Sequence, residues 1–343
     1  MGSAGAASRL LPARYYARLG LLLAEQGVAL TRLLHQARLP ARRLLDPDGR
    51  LSLAEVERLS RHALALYPGR DLGWRLGARI PPAEHATLGH ALLAAPTLDD
   101  AMRLAARYFA LLSPGFVLRY RLDSDSGEVS VVPRLAFGRE ALRLHLDVIL
   151  IALLAELEHL HGRPLSGLQI ACALPAPASP QRQPLLRRHR CRFDLGGLPQ
   201  LSLRLPAALL RAPRPAVDRS AQSAARQRLE QQRDSLRLHG GLSEWTLMML
   251  RECEGGLPTQ AELAGLLGLS PRRFARGLAR EGSALRDLST AVRMTRAQEA
   301  LIAGELSITE LAFALGYTDL ANFSRAFRRA VGCSPRAFRQ SRR

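Results

Sequence analysis

The sequence predicts a mainly α protein, in which an N-terminal α+β domain precedes an all-α domain with two helix-turn-helix units joined by a linker helix. Two observations predict this organisation. A ten-residue pattern, Thr259–Gly268, recurs at Ser307–Gly316, and the segments with strand-like alternation all lie before residue 210. We therefore expect domains over residues 1–210 and 237–343, with a linker over residues 211–236.

Leucine and alanine recur at helical spacing in four segments of the N-terminal domain. Two of these segments begin with N-cap signals, because Ser52 is followed by Glu55 at the third position and Thr97 is followed by two aspartates. The predicted helices run from about Pro12 to Gln36, from Leu51 to Tyr67, from Leu98 to Leu112 and from Phe137 to His161.

Four further segments have the residue types and alternation of strands. Phe116–Leu122 and Glu128–Arg134 flank the turn-forming run Asp123–Gly127, which predicts a hairpin. Leu168–Ala173 and Leu201–Leu205 are candidates for further strands. With about 200 residues, the domain is large enough to have its own core.

The sequence alone assigns no residue of the N-terminal domain to a ligand. The candidate pocket residues are of types whose commoner role is an ordinary core or surface position: Tyr108, Phe109, Phe116, Tyr120, Arg143 and His145. The histidine pairs are two or five residues apart, which places the members of each pair on different helix faces. We therefore expect no metal, no cofactor and no catalytic residues.

The predicted linker, residues 211–236, opens with the proline-rich run Arg211–Pro215, and prolines interrupt regular structure. Residues 181–233 carry 12 arginines and 3 acidic residues, which is the densest basic stretch of the chain. Such charge would attract nucleic acid without regard to its sequence and in a salt-sensitive way. A solvated linker of biased composition explains the stretch equally well.

Both copies of the repeat have the signals of a short helix followed by a tight turn. Thr259 and Ser307 are suitable N-caps, and a glutamate three residues later in each copy completes a capping box. The copies end at Gly268 and Gly316, where glycine adopts a left-handed conformation at little cost. A second helix after such a turn makes a helix-turn-helix.

A helix with a basic outer face follows each copy. Phe274 and Leu278 take the core positions of the first such helix, and Phe323 and Phe327 those of the second. Arginine can bond guanine and asparagine can bond adenine in the major groove, so the pattern predicts binding to DNA. Leu285 to Gly304 should form one linker helix, which would place both units about one helical turn apart on the duplex.

Composition excludes several other classes of protein. The chain has 343 residues and a formal net charge of +19, and all 49 basic residues are arginine, which codon bias in a GC-rich genome explains. The cysteines Cys172, Cys191, Cys253 and Cys333 form no CxxC pair, which fits a reducing cytoplasm and disfavours zinc. The longest apolar run, Val148–Ala155, is too short to span a bilayer, so we expect no membrane association.

Residues Leu242–Arg339 resemble the DNA-binding domain of the AraC/XylS family of bacterial transcription regulators. The resemblance rests on Ser307–Ala312, Leu315–Tyr317, Asn322–Arg325 and Gly332–Pro335. It implies that two recognition helices enter adjacent major-groove segments. The implied base contacts are Arg272, Ala275, Arg276, Leu320, Ala321, Ser324 and Arg325. The arginines nearer to phosphates would be Arg273, Arg280, Arg328 and Arg329.

Two features weaken this base-contacting surface. Gly277 lies inside the first recognition helix, where glycine costs about 1 kcal/mol relative to alanine. Ala275, Leu320 and Ala321 donate no hydrogen bond and could touch only thymine methyl groups. We therefore expect the first unit to supply more of the base readout and the second unit, with Arg325 as its main reader, to supply more of the docking.

Two segments, Leu88–Ser113 and Cys191–Leu203, are similar to the effector-binding domain of one AraC-family branch. That branch includes regulators of ornithine utilisation and of virulence or quorum sensing. The resemblance implies a small-molecule sensor that also helps the chain to form a homodimer. An activator of this kind would in addition contact RNA polymerase.

The leading interpretation is a sequence-specific DNA-binding transcription regulator of the cytoplasm that responds to a small-molecule effector and is not an enzyme. One alternative is a constitutive regulator whose N-terminal domain only dimerises. Another is an enzyme fused to a DNA-binding domain, although the sequence has no nucleophile elbow, no Walker loop and no dinucleotide or zinc-protease motif.

Overall fold

The computed structural model describes residues 10–46, 48–80, 85–172, 190–193, 198–214, 225, 227–232, 241–253 and 256–341. The chain forms two compact units. The N-terminal unit comprises Met1–Leu195 and Pro199–Gly240, and the C-terminal unit comprises Gly196–Leu198 and Gly241–Arg343. The predicted fold class is confirmed, because the N-terminal unit is α+β and the C-terminal unit is all-α.

The helices of the N-terminal unit are α1 (Arg14–Ala24), α2 (Leu30–Ala37), α3 (Ala41–Leu45), α4 (Leu53–Leu66), α5 (Leu72–Gly77), α6 (Ala86–Leu93), α7 (Leu98–Leu112), α8 (Arg139–His161) and α9 (Ala207–Arg211). Both predicted N-caps are confirmed. The backbone N–H of Glu55 donates to Ser52 Oγ at 3.3 Å, and that of Asp100 donates to Thr97 Oγ1 at 3.0 Å.

The prediction of one helix from Pro12 to Gln36 is wrong. The segment contains α1 and α2, and Gly27 between them has a φ of +74°. Glycine adopts this left-handed conformation without steric cost, so the chain can turn there. Strand β1 (Leu10–Pro12) precedes α1 and pairs in antiparallel fashion with β2 (Arg50–Ser52).

The main sheet has the strand order β3-β4-β7-β5-β6. Its strands are β3 (Phe116–Leu122), β4 (Ser126–Pro133), β5 (Gln169–Cys172), β6 (Arg190–Phe193) and β7 (Leu201–Pro206). The first two form the predicted hairpin, with Phe116 opposite Pro133. β5 lies within the predicted strand Leu168–Ala173, and β7 extends one residue beyond the predicted strand Leu201–Leu205, whereas β6, which is parallel to β5, was not predicted.

Helix α5, which sequence analysis did not predict, packs closely against α8 because two of its residues are glycines. A Cβ atom on Gly77 would lie 2.6 Å from the carbonyl oxygen of Val148, and one on Gly73 would lie 2.6 Å from Asp147 Cβ. Any side chain at these positions would force the two helices apart. Trp74 Nε1 donates to Asp147 Oδ1 at 3.1 Å and strengthens the same contact.

Part of the predicted linker contacts the N-terminal unit. The guanidinium group of Arg214 donates to the backbone carbonyls of Leu92, Ala95 and Leu160 at 2.7–3.0 Å. Leu229, in the helical stretch 227–232, is fully buried. The boundaries at residues 210 and 237 stay a prediction, and residues 215–224, 226 and 233–236 of the predicted linker lie outside the described residues.

The C-terminal unit is a chain of helices that we name by position. They are the entry helix (Leu242–Glu252), the first support helix (Gln260–Leu266), the first recognition helix (Pro271–Arg280), the linker helix (Leu285–Ala303), the second support helix (Ile308–Ala314), the second recognition helix (Leu320–Val331) and the C-terminal helix (Pro335–Ser341). The predicted linker helix is confirmed, and it ends at Gly304, which has a φ of +74°.

Candidate DNA interface and effector cavity

Both support helices begin with the predicted capping box. In the first, the N–H of Glu262 donates to Thr259 Oγ1 at 3.3 Å, and the N–H of Thr259 donates to Glu262 Oε2 at 2.7 Å. In the second, the corresponding bonds between Glu310 and Ser307 are 3.1 and 2.8 Å long. These bonds favour the carboxylate form and hold the pKa of both glutamates below the usual range.

The turn after each support helix has the same hydrogen bond in both units. Gly268 has a φ of +66° and Gly316 a φ of +80°. The N–H of the next residue donates to the carbonyl of a buried alanine, which is Ala264 at 2.9 Å in the first unit and Ala312 at 3.0 Å in the second. The two turns therefore have the same backbone geometry, and each leads into its recognition helix in the same way.

The first recognition helix buries its apolar face and exposes its arginines. Its N-cap is Ser270, whose Oγ accepts from the N–H of Arg273 at 3.3 Å, and Pro271 takes the first helical position. Phe274 and Leu278 are buried, as predicted. Ala275 is half-buried, and the exposed side chains of the outer face are Arg272, Arg273, Arg276 and Arg280.

The entry helix explains Gly277, which sequence analysis treated only as a weakness. A Cβ atom on Gly277 would lie 2.7 Å from Leu242 Cδ2, so glycine allows the entry helix to approach closely. Glu281 strengthens this contact, because its two carboxylate oxygens accept from the N–H groups of Leu242 and Ser243, each at 2.8 Å. The carboxylate thus caps the entry helix, where the helix dipole favours negative charge. Sequence analysis did not single out Glu281.

The second recognition helix has an acidic N-cap. Asp319 Oδ1 accepts from the N–H of Asn322 at 2.6 Å. Phe323 and Phe327 are fully buried, as predicted. Ser324 is half-buried, and the exposed predicted contact residues are Leu320, Ala321, Arg325, Arg328 and Arg329.

A chain of side-chain hydrogen bonds holds Arg325 against the first turn of its helix. The guanidinium group of Arg325 donates to Asn322 Oδ1, and Asn322 Nδ2 donates to Asp319 Oδ2. The first unit lacks this chain of bonds, because Ser270 occupies the position of Asp319 and Arg273 that of Asn322. Arg325 is therefore the more strongly oriented of the two matched arginines, Arg276 and Arg325.

The linker helix contacts parts of both units. The guanidinium group of Arg296 donates to the backbone carbonyls of Leu250 and Cys253 at the end of the entry helix. On the other side, the Arg293 guanidinium lies 6.0 Å from the centroid of the Tyr317 ring, which follows the second turn. One helix thus fixes the orientation of both units.

The predicted DNA-contacting arginines carry uncompensated charge. In the part of the chain that the structure describes, none of them forms an ion pair with a carboxylate: Arg272, Arg273, Arg276, Arg280, Arg325, Arg328 and Arg329. Such guanidinium groups are free to neutralise phosphates or to bond base edges.

The N-terminal unit contains a mostly apolar cavity of about 110 Å³, lined by residues of α1, α5, α6, α7, α8 and β3. Tyr16 Oη donates to His145 Nε2 at 2.6 Å, and His145 Nδ1 donates to the carbonyl of Ala141 at 2.6 Å. Burial lowers the pKa of His145 to about 4, so its imidazole is neutral near pH 7. Both ring nitrogens are thus engaged by the protein.

Two of the six candidate pocket residues, Phe109 and His145, line this cavity. Phe116 does not line the cavity itself, but its ring stacks on that of His145, with ring centroids 5.8 Å apart. The other three candidates lie elsewhere: Tyr108, Tyr120 and Arg143. Sequence analysis missed the polar wall residues Tyr15, His85 and Glu156, because no local signal connects positions so far apart in the chain.

Within the described residues, no group of three or more histidine, cysteine, aspartate or glutamate side chains could hold a metal ion. None of the helices described has the length and apolar character that crossing a membrane requires.

Two helix-turn-helix units with basic outer faces, together with a separate α+β unit that has its own cavity, define a DNA-binding transcription regulator with an effector domain. Residues 27–214 match the N-terminal arabinose-binding domain of AraC transcription regulators, and residues 263–341 match a helix-turn-helix domain. The chain therefore belongs to the AraC family of transcription regulators, as its sequence predicted.

Known proteins similar to this chain are also regulators. The chain is 28% identical over 334 residues to the ornithine utilization regulator of Pseudomonas aeruginosa, and the alignment covers 97% of each protein. It is 26% identical over 315 residues to an uncharacterized helix-turn-helix transcriptional regulator of Mycobacterium bovis, which covers 91% of each. The crystal structure of the transcriptional regulator CdpR from Pseudomonas aeruginosa aligns with 93% of this chain and 98% of its own chain, at 24% identity and a TM-score of 0.42.

Proposed function

We propose that the chain binds promoter DNA by placing its two recognition helices in adjacent major-groove segments. The observation that carries this proposal is the paired design of the C-terminal unit. Two units with the same caps and turns are held by one linker helix, and each exposes arginines that no carboxylate of the described residues neutralises. A helix–helix spacing of about one DNA turn would then set the spacing of the half-sites.

We assign base contacts to the exposed and half-buried positions of the two outer faces. These are Arg272, Ala275 and Arg276 from the first unit and Leu320, Ala321, Ser324 and Arg325 from the second. Arginine would bond guanine, and the apolar side chains would contact thymine methyl groups. The phosphate contacts are assigned to Arg273, Arg280, Arg328 and Arg329, which would make affinity fall as salt rises.

We also propose that the N-terminal unit binds a small-molecule effector in its cavity and forms the homodimer contact. The family membership and the name of the ornithine utilization regulator support a response to a small metabolite. If the chain activates transcription, it also contacts RNA polymerase. We place its action in the bacterial cytoplasm, because promoter DNA is there.

The test is selection of binding sites from a random duplex library with the full-length protein, followed by titration of the selected site at several salt concentrations. We expect a motif with two parts whose centres lie about one helical turn, ~10 bp, apart. Arg276→Ala should weaken binding, whereas Arg204→Ala, an exposed arginine of β7 in the other unit, should not. A library without enrichment would contradict the proposal, and a motif with one part would contradict the two-unit model.

The two alternatives make different predictions. A constitutive regulator would bind its site normally while no metabolite raises its melting temperature in a thermal-shift screen. An enzyme fused to a DNA-binding domain has less support, because the relatives that align along most of the chain are named as regulators. We propose that the chain is not an enzyme, and conversion of a metabolite by the purified protein would show the opposite.

A further inference from the structure

One part of the cavity wall is a buried carboxylate that the protein only partly satisfies. Glu156, on α8, is 5% exposed and lines the cavity. Its Oε1 atom is buried and has no hydrogen-bond partner, and its Oε2 atom lies 4.0 Å from His85 Nε2. A buried carboxylate oxygen without a donor costs free energy, so a donor that enters the cavity would be bound favourably.

The nearby guanidinium group of Arg214 does not supply the missing hydrogen bond to Glu156 Oε1. Arg214 favours the ionised form of Glu156 electrostatically, but its guanidinium group donates to the backbone carbonyls of Leu92, Ala95 and Leu160. Burial dominates and raises the pKa of Glu156 to about 7. The carboxyl group can therefore take or give up a proton near neutral pH as its surroundings change.

The rest of the cavity wall limits the polarity and size of the ligand that carries such a donor. It is built mainly from apolar side chains, among them Leu76, Ile80, Leu92, Met102, Leu118 and Leu144. A cavity of about 110 Å³ is of the same order as the roughly 150 Å³ cavity that holds benzene, so the part of the guest inside it has at most about six heavy atoms. Tyr15 and His85, whose Oη and Nδ1 atoms are 3.4 Å apart, are the polar neighbours on the Glu156 side.

We propose that this cavity binds a small apolar molecule with one primary amine, whose ammonium group lies against Glu156 and whose hydrocarbon part lies among the leucines. The inference rests on, and deepens, the proposed effector role of the N-terminal unit. An ammonium group supplies both a donor for Oε1 and a compensating charge. A hydroxyl group supplies only the donor, and a ligand carboxylate would be repelled by Glu156.

Isothermal titration calorimetry of the full-length protein with n-pentylamine, n-pentanol and pentanoate tests the proposal, because these probes have similar size and differ in head group. We expect the amine to bind at least about tenfold more tightly than the alcohol, since its bond to Glu156 is charge-assisted, and pentanoate not to bind. Glu156→Gln keeps the size and removes the charge, so it should abolish the preference for the amine. The matched control is Glu140→Gln, an exposed residue of the same helix, which should behave like the wild type.

A second variant covers the case in which Glu156→Gln does not fold. Ala152→Leu fills the cavity from α8 and should abolish binding of both the amine and the alcohol. The proposal is overturned if no amine binding is seen, if all three probes bind alike, or if either variant leaves amine affinity unchanged. Calorimetry needs no DNA, so a sample that binds its DNA site but no amine refutes this inference alone. A sample that binds the amine but no DNA refutes the proposed DNA-binding function alone.

Discussion

The two helix-turn-helix units share one backbone plan but place positive charge on different parts of the recognition helix. The first unit has a neutral N-cap, Ser270, followed after Pro271 by Arg272 and Arg273. The second has an acidic N-cap, Asp319, and its arginines begin only at Arg325. Because the N-terminal residues of a recognition helix contact base edges, the first unit is the better suited to base readout and the second to docking on phosphates.

The hydrophobic cores of the two units also differ, and here the second unit has more contacts between aromatic rings. In the second unit, rings contact one another from Tyr317 through Phe323 and Phe327 to Phe338, with centroids 5.4–5.8 Å apart. The first unit has one such contact, between Trp245 and Phe274 at 6.3 Å, among the described residues. The unit whose arginines begin farther along its recognition helix is thus the more heavily packed, which suits a part that anchors the domain.

The largest expected effect tests this difference in packing. Phe323→Ala should lower the free energy of unfolding by about 3–5 kcal/mol, because it leaves a cavity and removes two ring contacts. Phe274→Ala should lie at the lower end of that range. Chemical denaturation of each full-length variant, followed by near-ultraviolet circular dichroism, measures both. An equal or larger loss for Phe274→Ala would remove the contrast between the cores.

Removing single arginines tests the proposed division between readout and docking. Arg276→Ala should cost ~1–3 kcal/mol of specific binding and relax one base position of the selected site. Arg328→Ala should weaken binding to all sequences and lower the salt dependence by about one phosphate contact. Fluorescence anisotropy on the selected site and on single-base variants measures both effects. If Arg328→Ala relaxes a base position, its assignment to phosphate is wrong, and if Arg276→Ala weakens all sequences equally, its assignment to a base is wrong.

The C-terminal unit follows closely from its sequence because its signals are local. The capping residues Thr259 and Ser307 and the turn residues Gly268 and Gly316 each act within a few positions, and the structure has all of them where expected. Glu281 was missed, although it is also close in sequence to the recognition helix. Its carboxylate caps a helix that begins 39 residues earlier, and no pattern connects the two positions.

The N-terminal unit was harder to predict because its important contacts join residues that are far apart in the sequence. Gly73 and Gly77 resemble helix breakers in a single sequence, but α5 needs both to approach α8, where Gly73 lies against Asp147 and Gly77 against the carbonyl of Val148. The cavity shows the same limit, since Tyr15, His85 and Glu156 come from three separate parts of the chain. Periodicity predicted the long helices and the hairpin, whereas the site depends on which helices pack together.

The chain of bonds from Asp319 to Arg325 predicts a smaller effect that is confined to the second unit. Asn322→Ala should leave Arg325 free to rotate, cost about 1 kcal/mol of specific binding and relax the base position next to Arg325. Arg273→Ala, at the matched position of the first unit, should instead weaken binding to all sequences. Site selection with each variant distinguishes these results. An unchanged preference in Asn322→Ala would show that the hydrogen bonds do not orient Arg325 on DNA.

The smallest expected effect concerns Gly277, which the second unit replaces with Ala326. Gly277→Ala should raise the free energy of unfolding by less than the ~1 kcal/mol that helix propensity alone would give, because Leu242 Cδ2 lies 2.7 Å from the new Cβ position. The contact is with the tip of a leucine side chain, which can rotate, so the variant should still fold.

Leu242→Ala removes the crowding, so Gly277→Ala in that background should show the full propensity gain. The reverse change in the second unit, Ala326→Gly, should cost about 1 kcal/mol and serves as the matched control. Chemical denaturation of Gly277→Ala, Leu242→Ala, the double variant and Ala326→Gly measures these differences in the free energy of unfolding. A loss of stability in Gly277→Ala that Leu242→Ala does not relieve would mean that the recognition helix itself, rather than its contact with the entry helix, requires glycine. The two units would then differ in backbone design as well as in side chains.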